Sequence, residues 1–318
     1  MPSLLRIGTR GSALALWQAE WVKSRLTHFW PAVAVELVIL KTSGDQIQDV
    51  SLAKIGGKGL FVKEIEEALI AGTIDLAVHS MKDVPGELPA GLTLSAIPER
   101  EDSRDVLITK HGETLAELPA GTRVGTSSLR RQALLLALNP GVRIELLRGN
   151  VDTRLRKQRE GVVDATVLAA AGLKRLGIVP EHSHMLDDEE FPPAIGQGAL
   201  GIEAREDADI LALVRPLHHE ETAIAVRAER AFLLRMGGSC RTPLAAKGMV
   251  SQGMVRLRAL VASPDGRQVI RGAASGPLTA PEQLGSALAE QLLSRGGREI
   301  LAELDAGLTA GQASRGTQ

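Results

Sequence analysis

Through its first two thirds the chain alternates strand signals with helix signals. No other feature constrains the fold as strongly, because strands separated by helices pair into parallel α/β layers. Leu4–Gly8 reads as a strand, and Ser12 caps a helix that runs to about Leu26 with one apolar face. Val35–Leu40, apolar but for Glu36, predicts a buried parallel strand. Phe61–Ala71 predicts a helix ended by Gly72, and Ile74–His79 and Leu92–Ile97 predict two further strands.

Two breaks divide this pattern. Pro98–Arg104 is a polar stretch that reads as a crossing between domains. A second α/β unit follows, with strands at Asp105–Thr109, Arg123–Gly125, Ile144–Leu147 and Ala165–Leu168, and helices starting near Ser128, Asp152 and Ala170. Phe191–Gly198 is the second break, after which Ala199–Ala204 reads as a strand returning to the first unit. Two crossings between lobes make a hinge. The last third changes character. Thr222–Met236 predicts a helix capped by Thr222 and stopped by Gly237, and Ser263–Gly266 predicts a hairpin between Met254–Ala262 and Gln268–Ala274. Helices follow near Pro281–Ser294 and Arg298–Asp305. The expected division is residues 1–98 with 197–218 as one lobe, 99–196 as a second, 219–306 as a smaller α+β domain, and 307–318 as a flexible tail.

Composition narrows the function. At 318 residues the chain can hold two or three cores. A net charge of −1 argues against a nucleic-acid partner. With no tyrosine, four phenylalanines and three tryptophans, platforms for stacking bases are scarce. A single cysteine cannot form an intrachain disulfide, which suits a reducing, cytoplasmic setting. Arg6 and Arg10 interrupt any apolar signal core, and no run of about 18 apolar residues suggests a membrane span.

Positive side chains recur at strand-to-helix turns. Gly125-Thr126-Ser127-Ser128-Leu129-Arg130-Arg131 joins a strand to a helix whose free N–H groups favour anions. Arginine in a first helical turn opposes the helix dipole, so two there imply an external negative charge. Two solvated arginines are the alternative, and repetition weakens it. Arg10-Gly11-Ser12 repeats the arrangement, Lys82 follows a strand, Arg148 closes one, and Arg154 sits in the next helix's first turn. Ligands of open α/β sheets bind at the carboxyl ends of strands, and guanidinium forks suit carboxylates. A ligand with several carboxylates therefore fits. Ser51–Leu60, with Lys54, Lys58 and Gly56–Gly59, reads either as a mobile flap or as a solvated loop; it lacks P-loop spacing.

His79-Ser80-Met81-Lys82-Asp83-Val84-Pro85 is the strongest local candidate for chemistry. Asp83 beside Lys82 stays ionised and could stabilise a cation or shuttle a proton, or it could merely cap the next element. Cys240 sits in Gly237-Gly238-Ser239-Cys240-Arg241-Thr242-Pro243, a poor place for a core thiol. The neighbouring guanidinium favours thiolate, so a covalent attachment point is the sharper reading and a small buried apolar residue the blander one. His218–Glu221 and Asp187–Glu190 lack metal-ligand spacing, and no metal is expected.

These segments together resemble the porphobilinogen deaminase family of tetrapyrrole biosynthesis. The matching stretches run in the family's order from Ile7-Gly8-Thr9-Arg10-Gly11-Ser12 through His79–Pro85, Gly125–Gln132, Leu147–Val151, Ala170–Leu176 and Gly196–Gly198 to Gly238–Pro243. The resemblance implies two lobes like those of periplasmic binding proteins, with mixed, mainly parallel sheets, and a third domain bearing the cysteine loop. It implies a dipyrromethane cofactor held by a thioether to Cys240. Four porphobilinogen units would be added head to tail with loss of ammonia, and hydroxymethylbilane released by hydrolysis, by a monomer. It makes Asp83 the catalytic aspartate and Arg10, Lys82, Arg130, Arg131, Arg148, Arg154 and Arg175 carboxylate binders. Ser12, Lys54, Thr126, Ser127, Ser128 and Gln197 become further cofactor or substrate contacts, with Lys58 and Phe61 on the flap. Ser239 stands where many members have a second glycine.

Overall fold

The structure is a computed structural model that describes residues 2–43, 62–237 and 242–313, the side chains of 307–313 excepted. Lys54, Lys58, Phe61 and Cys240 lie outside the described residues. The first sheet has β1 (Leu4–Arg10), β2 (Ala34–Leu40), β3 (Leu76–Ser80), β4 (Leu92–Ala96) and β10 (Leu200–Arg205), in the order β2-β1-β3-β10-β4. The second has β5 (Asp105–Ile108), β6 (Arg123–Gly125), β7 (Arg143–Glu145), β8 (Ala165–Ala169) and β9 (Ser183–Met185), in the order β7-β6-β8-β5-β9.

The two sheets share one design. β1 pairs parallel with β2 and β3, as β6 does with β7 and β8. Each crossing then feeds one antiparallel strand into the interior of the next sheet. β5 follows the first crossing and lies between β8 and β9; β10 follows the second and lies between β3 and β4. Four strands of each sheet thus run one way and one runs the other.

Helices cover the sheets where the sequence places caps. Ser12 accepts a bond from the Ala15 N–H at the start of α1 (Ala13–Phe29), whose Ala19, Val22 and Leu26 pack on Leu5, Ile7 and Leu76. α2 (Lys63–Ile70) buries Ile65 and Leu69 against Ala77. In the second lobe α3 (Leu129–Leu138) starts at Ser128, α4 (Val151–Arg159) at Asn150, and α5 (Ala170–Arg175) follows β8 directly. α6 (Ala208–Val214) closes the core of the first lobe.

The last third is a meander of β11 (Leu244–Ser251), β12 (Met254–Ala262) and β13 (Val269–Pro277), covered by α7 (Glu220–Arg235), α8 (Pro281–Leu292) and α9 (Arg298–Ala313). Glu229 of α7 is wholly buried and joins the three parts of the chain. Its carboxylate accepts both Nη groups of Arg100 from the first crossing, the Gly196 N–H of the second at 2.7 Å, and the Gly248 N–H of β11 at 2.7 Å. The crossings also touch each other closely. Gly198 has φ +86°, and a Cβ there would meet the Glu101 carbonyl oxygen at 2.4 Å, so only glycine fits.

Four expectations change. β2 is parallel as expected but forms the sheet's edge, and Ile39 is 59% exposed, so a mostly apolar stretch did not mean burial on both faces. α7 is capped by His219, whose Nδ1 accepts the Thr222 N–H at 3.3 Å; the Thr222 hydroxyl instead accepts the Arg100 N–H at 3.1 Å. β9 and β11 are strands the sequence reading did not mark. The backbone of α9 continues to Ala313, past the Gly307 start expected for the tail.

Removing one partner of a buried ion pair strands the other charge. Glu229→Ala should therefore cost about 3–5 kcal/mol of stability, read from urea unfolding. A loss below about 1 kcal/mol, the worth of one ordinary hydrogen bond, would contradict the account of Glu229.

Candidate active site

The carboxyl ends of β1, β2, β3, β6, β7 and β8 open onto one cavity of about 600 Å³. Each turn adds side chains to its wall. The β1–α1 turn gives Arg10, Gly11 and Ser12; the end of β2 gives Lys41; the end of β3 gives Ser80, Lys82 and Asp83. From the second lobe come Ser127 and Arg131, then Arg148 and Arg154, then Arg175. Gln197 and Gly198 of the second crossing form the floor between them. Of the lining side chains among the described residues, seven are basic (Arg10, Lys41, Lys82, Arg131, Arg148, Arg154 and Arg175) and one, Asp83, is acidic.

Such crowding costs free energy, and the groups register it. Burial pushes Lys82 down to about 8; Asp83 pulls it back up and Arg131 presses it further down. Burial, then the like charges of Arg131 and Arg148, lower Arg154 to about 10. Burial likewise brings Arg175 to about 10, although its Nη2 donates to the Gly198 carbonyl at 2.7 Å. Backbone geometry aims these groups. Asn150 caps α4 by accepting the Thr153 N–H at 2.9 Å, and Arg154 Nε donates to the Gly149 carbonyl at 2.8 Å.

Arg130 and Arg131 correct the inference that two arginines in a first helical turn require an external anion. Asp105, at the start of β5, supplies an internal one. Arg130 Nη2 lies 2.6 Å from Asp105 Oδ2, and Arg131 Nη2 lies 2.7 Å from Oδ1. Burial alone would raise the Asp105 carboxyl; the two guanidiniums outweigh it and hold the group well below the usual carboxylate range. Arg130 donates its other edge to the Pro192 carbonyl at 2.7 Å, sits over the Phe191 ring, and lies off the cavity wall. Arg131 reaches the wall, with Nη1 donating to the Val167 carbonyl at 2.8 Å. Gln197 completes the cluster, its Nε2 donating to Asp105 Oδ1 at 2.9 Å and to the Ser103 carbonyl at 2.7 Å. Arg131 Nε and Gln197 Oε1 are buried and find no hydrogen-bond partner among the described residues.

The structure therefore brings Arg10, Ser12, Lys82, Asp83, Ser127, Arg131, Arg148, Arg154, Arg175 and Gln197 together. Thr126 and Ser128 stay off the wall: Thr126 Oγ1 accepts the Ser128 N–H at 3.1 Å, and Ser128 caps α3. Lys41 and Asp105 were missed. Lys41 follows directly on Leu40 at the end of β2, the same strand-end position that flagged the other cations. Asp105 gave no signal, because pairing across a buried sheet is not a local pattern. A side chamber of about 70 Å³ branches off near Asp83, lined by Gln18, His79 and Ser80, with Gln18 Nε2 donating to Ser80 Oγ at 3.0 Å. His79 Nε2 lies 2.8 Å from Glu203 Oε2 in the buried layer behind β3. Burial and the Glu203 charge push nearby Glu66 up to about 7.

Among the described residues, no group of three or more His, Cys, Asp or Glu side chains could hold a metal ion. None of the helices there is long and apolar enough to cross a membrane.

If Lys82 is depressed as described, it is charged below pH 8 and loses its charge as the pH rises through that value. Anion affinity of the cavity then falls over the same range. A nitrogen-detected NMR titration of the lysine side chains should show one amine with a midpoint near 8 that Lys82→Arg removes. A spectrum in which every lysine titrates near the ordinary value of about 10.4 would contradict this.

Comparison with known families places this cavity in context. Residues 5–212 match the profile described as porphobilinogen deaminase, dipyromethane cofactor binding domain, and residues 223–294 match the porphobilinogen deaminase C-terminal domain. Porphobilinogen deaminase of Syntrophotalea carbinolica is 56% identical over 304 residues, 95% of this chain and 96% of that protein. The Geobacter metallireducens protein of the same name is 55% identical over 304 residues, 95% of each. Among solved structures, the periplasmic aliphatic sulphonate binding protein SsuA of Escherichia coli is similar at 18% identity and a TM-score of 0.40, over 74% of this chain and 70% of that one.

Proposed function

This chain belongs to the porphobilinogen deaminase family, and from that premise we propose how its own residues carry the family's reaction. The enzyme polymerises porphobilinogen, joining four units head to tail with loss of ammonia and releasing hydroxymethylbilane for tetrapyrrole biosynthesis. Its first two lobes are a dipyrromethane cofactor-binding domain.

The observation that carries the assignment of roles is the cavity wall, where among the described residues seven cations surround one carboxylate. Each porphobilinogen brings an acetate and a propionate, so substrate and growing product are polyanions. Their negative charge offsets the like-charge repulsion that adds to burial in depressing Lys82 and Arg154. The residues present fit the cofactor: Arg131 Nε, without a hydrogen-bond partner among the described residues, is a donor for a carboxylate. When bound, the cofactor supplies the primer on which the chain grows. Lys82, Arg131, Arg148 and Ser127 would hold it, and Arg10, Arg148, Arg154 and Arg175, with Ser12 and Gln197, would hold the incoming unit. Arg130, Thr126 and Ser128 would act from behind the wall by fixing Arg131 and the start of α3.

Asp83 is the proposed catalytic group. Loss of ammonia leaves the substrate as a methylene-pyrrolenine cation, which a fixed carboxylate stabilises. The same oxygens can accept pyrrole N–H bonds and take up the proton shed when the new carbon–carbon bond forms.

Cys240, the chain's one cysteine, would hold the cofactor through its Sγ as a thioether. We divide the chain at 98/99, 196/197 and 218/219, in keeping with the two crossings. Near-neutral charge and the lone cysteine support a cytoplasmic protein without a nucleic-acid partner, and the family resemblance supports a monomer.

Intact mass spectrometry tests the attachment. Protein made with the pathway's precursors available should exceed its sequence mass by one dipyrromethane, and Cys240→Ala should match the bare sequence. Extra mass retained by Cys240→Ala would overturn the attachment. Asp83→Asn should keep the cofactor yet lose at least about 100-fold in kcat, as when one group facing developing charge is removed. Near-normal turnover would overturn the role of Asp83.

A further inference from the structure

The turn that bears Asp83 has little structure of its own. Met81–Asp83 is a single 3₁₀ turn, closed by the Val84 N–H donating to the Met81 carbonyl at 3.2 Å. The Met81 N–H fixes its start by donating to the Ala199 carbonyl at 3.0 Å. Beyond Asp83 the chain runs through Val84, Pro85 and Gly86, whose carbonyls need donors from elsewhere.

Arg230 of α7 supplies them. Its Nη2 donates to the Pro85 carbonyl at 2.7 Å and to the Gly86 carbonyl at 3.0 Å, and its Nη1 reaches the Val84 carbonyl at 3.4 Å. A rigid guanidinium fork that holds three successive carbonyls fixes both position and orientation. The same helical face carries Ala223 and Val226, which pack on Met81, Val84 and Ala199. It continues to Leu234, whose Cδ1 lies 3.3 Å from where a Cβ on Gly86 would stand. Glu229, the preceding residue, anchors α7 to both crossings, so the face that grips the turn is itself immobilised.

We propose that Arg230 is a positioning residue for the reaction: from the C-terminal domain it holds the Asp83 turn where the carboxylate meets substrate. The inference rests on the reading of Asp83 given above. It makes the C-terminal domain part of the catalytic apparatus beyond its cysteine.

The test compares Arg230→Gln, Arg230→Lys and Arg227→Gln in the full-length holoenzyme, with cofactor content measured by intact mass and kinetics expressed per holoenzyme. Arg227 lies on the same helix, where its exposed pair with Glu282 belongs to the surface of the C-terminal domain. Arg230→Gln should lower kcat about 10- to 100-fold with little change in KM, the result of a misplaced reacting group. Arg230→Lys, which keeps the charge but not the fork, should recover part of the loss, and Arg227→Gln should match wild type. Added to Asp83→Asn, Arg230→Gln should change kcat by less than about twofold, because the two act as one unit. A kcat for Arg230→Gln within about twofold of wild type, or a full further loss on the Asp83→Asn background, overturns the proposal. If Arg230→Gln does not fold, Arg230→Lys decides: a several-fold fall in kcat at unchanged KM supports the role, and wild-type kcat overturns it. A crippled Asp83→Asn beside a normal Arg230→Gln would sink only the positioning role, whereas a normal Asp83→Asn would sink the reading of Asp83 itself.

Discussion

Like charges gathered at one cavity repel, and this repulsion organises the molecule. Among the described residues, seven basic side chains from two sheets face a single space with one carboxylate on its wall. Nothing in the fold of either lobe requires such a concentration. Burial depresses Lys82, Arg154 and Arg175, and neighbouring guanidiniums press Lys82 and Arg154 further down. The fold tolerates it by balancing part of the charge internally. Asp105 takes one guanidinium edge each from Arg130 and Arg131 and leaves Arg131 at the wall with an Nε that finds no hydrogen-bond partner among the described residues. The remaining imbalance is what a polycarboxylate can remove, so affinity for an acid-laden pyrrole chain and strain in the free cavity are two aspects of one arrangement.

That arrangement exists only while the lobes are held in register, and the C-terminal domain does much of the holding. Each crossing strand enters the interior of the next sheet, so neither lobe is complete without chain from beyond the break. Glu229 then binds both crossings and β11 at once. The adjacent Arg230 reaches the turn after β3 that carries Lys82 and Asp83. Two neighbouring residues on one helix thereby connect the hinge, the third sheet and the acidic group at the centre of the chemistry.

The sequence made much of this legible. Strand-to-helix alternation placed most strands of both lobes closely, β6 within its observed bounds, and the helix starts read at Ser12, Ser128 and Ala170 fell where helices begin. The rule that ligands meet the carboxyl ends of strands found five of the seven described wall cations; Arg175 came from the family resemblance, and Lys41 obeyed the rule and was passed over. What failed was non-local. β2, despite its apolar residues, sits on an edge, because among the described residues no strand pairs with its other side. β9 has three residues, and β11 is rich in alanine and glycine, so neither carried a strand signal. Asp105, Glu229 and Arg230 look like ordinary polar positions in the sequence, and their roles arise only when crossings and helix pack.

The central claim is that the cations and Asp83 converge on one bound polyanion. A crystal structure of the holoprotein tests it most directly. The account predicts that the cofactor's carboxylates pair with Arg131, Arg148 and Lys82 while a pyrrole N–H donates to Asp83. Carboxylates turned out to solvent, with Asp83 beyond hydrogen-bond reach of every pyrrole nitrogen, would contradict it.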